Sequence, residues 1–154
     1  LFNVAINPEF IGRTYPPTPA YFVGREKIRE FATALGDTAS CYFEVGSARA
    51  LGYPDLVAPP TFAIVVTMKA GEQVVCDPEL ALDYTRVVHG EQKFVHQRPI
   101  FAGDELTSTV SVDSIRSAAG NDMIMVKAQV HSASGELVST AYSLLVSRGA
   151  EKPT

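Results

Sequence analysis

The sequence predicts an α+β domain in which a long antiparallel β-sheet wraps around one central, buried α-helix. Three observations carry this. From Tyr84 onward, apolar and polar residues alternate over four successive runs bounded by turn-forming residues. The turns at Gly120–Asp122 and around Gly135 are short enough for hairpins, which makes the strands antiparallel neighbours. Upstream, PPTFAIVVTMKAG is apolar on nearly every side, with prolines where a helix can start and Gly71 where it can end. Its β-branched residues also fit a strand. The lack of alternation, and the need of a one-sided sheet for a cover, decide for a helix over 60–70.

The opening NPEFIGRTYPPTPA is rich in proline and turn formers and is expected to wrap the surface until YFV enters the first ordered element. In REKIREFATAL, Ile28, Phe31 and Leu35 recur at helical spacing, and Gly36 stands where a helix ends by taking positive φ. Ser47 is placed to cap a short turn, ARAL, stopped by Gly52. After the central helix, TRVVHGEQKFVHQ reads as one long strand with room for a bulge. LTSTVSVDSIR follows with Leu106, Val110 and Val112 on one side. Next comes MIMVKAQVH, with Ile124, Val126, Ala128 and Val130 alternating, and LVSTAYSLLVS completes the set. The whole chain, 1–154, is expected to form one domain with its core at about 8–148. A free sheet edge in such a domain invites self-association.

Composition narrows the function classes. With 46% hydrophobic residues and no Pro/Gly tract, long-range disorder is excluded. A formal charge of −4 without a Lys/Arg cluster argues against nucleic-acid binding. The longest apolar stretch, LVAPPTFAIVVTM, is too short to span a bilayer, so no membrane insertion is expected. No secretory layout opens the sequence, and a cytoplasmic location is the default. Cys41 and Cys76 form no CxxC pair; they fit two reduced thiols or one disulfide. His89, His96 and His131 have no metal-ligand spacing, and neither a nucleophile elbow nor a phosphate loop occurs, so no metal or cofactor is expected.

Four places carry candidate chemistry. Asp37, directly after Gly36, reads either as a turn former accepting backbone N–H groups or as a catalytic acid. Tyr42 reads either as an aromatic anchor or as a hydrogen-bonding hydroxyl near Asp37. As a general base it is handicapped, because a phenol titrates near 10 and an imidazole near 6.5. The start of the central helix places backbone N–H groups near Thr61, Phe62 and Ala63, where they are either capped locally or free to stabilise an enolate oxygen. His89, in HGEQ, is placed to bond Glu91 or a neighbouring carbonyl.

Taken together, FVGREKIREFATALGD, LGYPDLVAPPTF and HGEQKFVHQRPIFAGDEL resemble the MaoC-like (R)-specific enoyl-thioester hydratase/dehydratase family, over about residues 8–148. The chain is most similar there to the small actinobacterial (3R)-hydroxyacyl-ACP dehydratase subunits, the UPF0336 type. The resemblance implies the hot-dog fold, an acyl-CoA or acyl-ACP thioester substrate, and a dimer of hot-dog subunits. The family's loop runs approximately GD-x-N-P-x-H. By position its aspartate is Asp37, its Asn–Pro pair falls on Ala39–Ser40, and its histidine falls on Tyr42. The acid is retained and the base is not. In heterodimeric relatives one subunit supplies the dyad while the other helps hold the acyl chain, and the resemblance implies that second role here. Asp37 and Tyr42 are then a degenerate dyad, with Thr61, Phe62, Ala63 and His89 as substrate-binding candidates. Alternatives are an active homodimeric (R)-specific enoyl-CoA hydratase and a non-enzymatic acyl-thioester-binding module.

Overall fold

In the computed structural model, which describes residues 6–149, five antiparallel strands form one sheet in the order β1-β3-β4-β5-β2. The strands are β1 (Tyr21–Phe22), β2 (Val87–His96), β3 (Glu105–Ala118), β4 (Asn121–Ser132) and β5 (Leu137–Ser147). The helices are α1 (Arg25–Leu35), α2 (Val45–Ala50) and α3 (Ile64–Val75). This is the hot-dog arrangement, with α3 as the wrapped helix. The outermost residues of the 1–154 span lie outside the described ones.

The strand register follows from side-chain alternation. Every second residue of β4, from Asp122 to Val130, is buried, and Leu106, Val110 and Val112 of β3 face the same core. Two apolar clusters result. Ala70 and Val74 of α3 meet Val110, Val112, Ile124 and Val126, whereas Phe62, Ala63 and Val66 meet Val23, Ile28, Leu106 and Val130. Helix α3 packs chiefly on β3 and β4, so the β5–β2 half of the same face is left open beside it.

The two edges of the sheet differ. Residues 12–18 run along β3, where Gly12 N–H donates to the Val112 carbonyl (2.8 Å), Tyr15 N–H to Val110 (2.9 Å) and Thr18 N–H to Ser108 (2.9 Å). Arg13 and the Tyr15 hydroxyl pin this strap to Asp77 just beyond α3, at 2.8 and 2.7 Å. The expected surface wrap is therefore an edge cover. The outer edge of β2 has no strand partner among the described residues and carries exposed Val88 and Val95.

Several boundaries move. Pro59 and Pro60 begin a series of tight turns rather than the helix, with Phe62 N–H bonded to the Pro59 carbonyl (2.9 Å) and Ile64 N–H to Thr61 (3.1 Å). Helix α3 then starts at Ile64 and passes through Gly71 to Val75, because α3 has further apolar residues to bury beyond the glycine. Ser47 lies inside α2 instead of capping it; the residue at the N-cap is Glu44. Gly36 does end α1, at φ 72°, but Leu35 is 53% exposed and takes no part in the core.

Arg25 at the start of α1 holds Asp55 in a two-pronged ion pair (2.9 and 2.8 Å), which ties the helix to the loop leading into the α3 turns. The guanidinium, against the opposing cost of partial burial and aided by the Leu56 N–H, holds the Asp55 carboxyl at about 2. A carboxyl depressed in the folded state stabilises above its unfolded value near 4, and that contribution is lost as pH falls towards the folded value. Urea midpoints measured from about pH 5 to pH 2 should therefore fall more steeply for the wild type than for Asp55→Asn. Parallel curves would show that this pair contributes nothing to acid sensitivity.

Candidate functional site around the central helix

Two hollows adjoin the Pro59–Ile64 turns. The first, of about 380 Å³, is lined by Cys41, Tyr42, Tyr53, Pro59, Pro60 and His96 among others. The second is a larger groove of about 740 Å³ between α3 and the β4–β5–β2 half of the sheet. Its helical wall presents Ile64, Thr67, Gly71 and Val75, and its floor presents Val126, Leu145, His89, Gln92 and Ser143.

Of the candidate residues, Tyr42 lines the first hollow and His89 the groove, and the other four line neither. Asp37 is exposed, lines neither hollow, and accepts the Ala39 N–H at 3.1 Å, the geometry of a turn-forming aspartate. Tyr42 ends a single 3₁₀ turn and lies partly buried against the Phe62 cluster. Burial first, then the Asp37 charge, pushes its phenol above the ordinary value. Both causes disfavour the phenolate, so Tyr42 is a proton-bearing donor and no base. Phe62 and Ala63 are fully buried and Thr61 is exposed. The Phe62 amide is already spent on Pro59, while the Thr61 and Ala63 amides have no hydrogen-bond acceptor among the described residues. Thr61, Phe62 and Ala63 line neither hollow, which Pro59, Pro60 and Ile64 border instead.

His89 lines the groove, and its imidazole makes no hydrogen bond among the described residues, to Glu91 or elsewhere. The cause is a bulge. The β2–β5 register slips between His89 and Glu91, and a Cβ at Gly90 would point at Val146 and Leu144 on the opposite face. Gly90 and Glu91 thus share the outer face, and His89 and Gln92, three apart, both reach the groove.

Sequence reasoning passed over His96. Its ring stacks on Phe94 (5.9 Å between centroids, 9° between planes), and Nδ1 lies 3.0 Å from the hydroxyl of fully buried Ser139. The imidazole is thereby oriented beside the cavity that Tyr42 lines. Nothing in strand alternation signals this, because the other cavity walls come from loop and turn residues at 41–42, 51–60 and 97–100. Cys41 and Cys76 are unpaired thiols, one at each hollow. Among the described residues no cluster suited to a metal occurs, and no helix is long and apolar enough to cross a membrane.

A family model described as the FAS1-like dehydratase domain region matches residues 9–141. A UPF0336 protein of Streptomyces griseus is 55% identical over 149 residues, covering 97% of this chain and 99% of that protein. Among solved structures, the C-terminally truncated HadBC (3R-hydroxyacyl-ACP dehydratase) complex of Mycobacterium tuberculosis superposes with a TM-score of 0.78. It is 31% identical, with 89% of this chain and 96% of that one covered. A MaoC-like dehydratase of 35% identity superposes with a TM-score of 0.84 over 92% of this chain and 43% of its own.

Proposed function

Since the chain belongs to the MaoC-like hydratase/dehydratase family, with the UPF0336-type actinobacterial proteins, we propose that it is the acyl-chain-holding subunit of a (3R)-hydroxyacyl-thioester dehydratase. The groove between α3 and the sheet carries this reading. Its volume and largely apolar lining suit an alkyl chain, and each methylene removed from water there contributes about 0.8 kcal/mol. The dyad positions support a non-catalytic role, because Asp37 is turned onto its own loop and Tyr42 holds its proton. The substrate is an acyl-CoA or acyl-ACP thioester.

The partner is a second hot-dog subunit with an intact Asp/His loop, docked on the bare edge of β2. Pairing there would satisfy a row of backbone groups and close the open side of the groove. The comparable HadBC structure is itself a complex of a 3R-hydroxyacyl-ACP dehydratase.

The test is hydration of crotonyl- and longer enoyl-thioesters by the chain alone and with such a partner co-expressed. The expected result is turnover only in the complex, changed less than about twofold by Asp37→Asn or Tyr42→Phe, since a group making no transition-state contact leaves the rate alone. A robust rate from the isolated chain would overturn this reading.

That outcome would favour the second reading, an active homodimer. Its supporting observation is that Tyr42 and the oriented His96 share one cavity, where a phenol could donate and an imidazole accept a proton. Tyr42→Phe would then lower the rate without altering folding.

A further inference from the structure

Of the three buried side-chain polar atoms without a partner among the described residues, two belong to groove-lining residues: Thr67 Oγ1 on the helical wall and Gln92 Nε2 on the sheet. Thr67 is 5% exposed. A threonine within a helix ordinarily returns its hydroxyl to the carbonyl four residues back. Here the Ala63 carbonyl receives the N–H groups of Val66 (3.1 Å) and Thr67 (3.0 Å), and the hydroxyl bonds to nothing. On the sheet side, the Ser143 hydroxyl donates to Gln92 Oε1 at 2.6 Å, which fixes the amide and leaves its nitrogen as an unpaired donor.

A plain alkyl chain in this groove would leave both groups without hydrogen bonds. Buried polar groups are costly in that state. The groove is mostly apolar, with Glu72, His89 and Ser143 also on its lining, and the unpaired atoms on its helix and sheet walls therefore describe a complementary atom in the occupant. Nε2 only donates, so that atom accepts; a hydroxyl oxygen accepts from Gln92 and donates to Thr67, and a keto oxygen meets Gln92. The terminal torsion of a glutamine is broad, so a small turn of the amide brings Nε2 to the occupant.

Building on the acyl-binding reading, we propose that the groove selects acyl chains bearing a hydroxyl or keto oxygen along their length, read by Thr67 and by Gln92 in its bond to Ser143. Oxygen-bearing chains are the preferred substrate class, and unsubstituted chains are the poorer one.

The experiment is competitive binding of stearoyl-pantetheine against a set of monohydroxy- and monoketo-stearoyl-pantetheines that carry the oxygen at different positions beyond C3, using the full chain. At least one substituted isomer should bind about tenfold tighter than the plain chain, the size of one well-made buried hydrogen bond. Thr67→Val and Gln92→Leu should each erase most of that preference; Thr67→Val, which removes only an unpaired hydroxyl, should do so without lowering the melting temperature, whereas Gln92→Leu also breaks the bond from Ser143. Equal binding of plain and substituted chains at every position overturns the proposal while leaving the acyl-binding reading intact. Survival of the preference in both variants also overturns it. So does weakened binding of pantetheine alone in the same variants, which would assign the pair to the carrier arm. Failure of every acyl chain to bind removes both the proposal and the reading beneath it.

Discussion

Truncating Phe62 to alanine is expected to lower the free energy of unfolding by about 3–5 kcal/mol, the usual cost of emptying a buried aromatic site. Phe62 is fully buried, and its ring meets Phe31 of α1 edge-on at 5.3 Å, with Val23, Ile28, Leu106 and Val130 in the same cluster. It sits in the turn series between Pro59 and Ile64, so its ring ties the entry of α3 both to α1 and to the sheet. Because a small domain is stable by only about 5–15 kcal/mol, the variant should be near the margin of folding at 37 °C. Phe22 provides the control. It is 68% exposed at the end of β1, and Phe22→Ala should change stability by no more than about 0.5 kcal/mol. Urea unfolding followed by circular dichroism distinguishes the two. A loss below about 1 kcal/mol for Phe62→Ala would mean that the turn does not anchor α3 as described.

How much of this was legible in the sequence depends on how local the signal is. The strands of the C-terminal half could be read residue by residue, because Ile124, Val126, Ala128 and Val130 alternate without interruption and all four are buried on one face of the sheet. The wrapped helix could be inferred from composition, but not its ends. Pro59 and Pro60 are as compatible with tight turns as with a first helical turn, and Gly71 ends a helix only if the chain has no more apolar surface to bury. Val74 lies beyond it and is fully buried. Leu35 shows the opposite failure, keeping helical period while reaching past the core into solvent. The candidate site was the least legible. Tyr42 and His96 belong to distant segments brought to one cavity by tertiary packing, and His89 shares a face with Gln92 only through the bulge at Gly90. Periodicity cannot assign faces across a register slip, nor bring residues 42 and 96 to one cavity.

The glycine that failed to end the helix makes the sharpest functional test. Gly71 lies within α3, lines the groove, and a Cβ built on it meets nothing within 4 Å. Glycine in a helix interior costs about 0.8–1 kcal/mol relative to alanine, and leucine is nearly as good a helix former. Gly71→Leu should therefore stabilise the fold by roughly 0.5–1 kcal/mol, seen as a raised melting temperature. The same side chain would stand in the space an alkyl chain needs. Displacing about three methylenes from the groove at about 0.8 kcal/mol each amounts to roughly a fiftyfold loss of affinity for a long-chain thioester. A crotonyl thioester, too short to reach this part of the groove, should be unaffected. Opposite signs for stability and long-chain affinity are what separate a functional glycine from a structural one. A higher melting temperature with unchanged affinity would place the acyl chain elsewhere, and a lower melting temperature would show that the fold, rather than a ligand, requires the missing side chain.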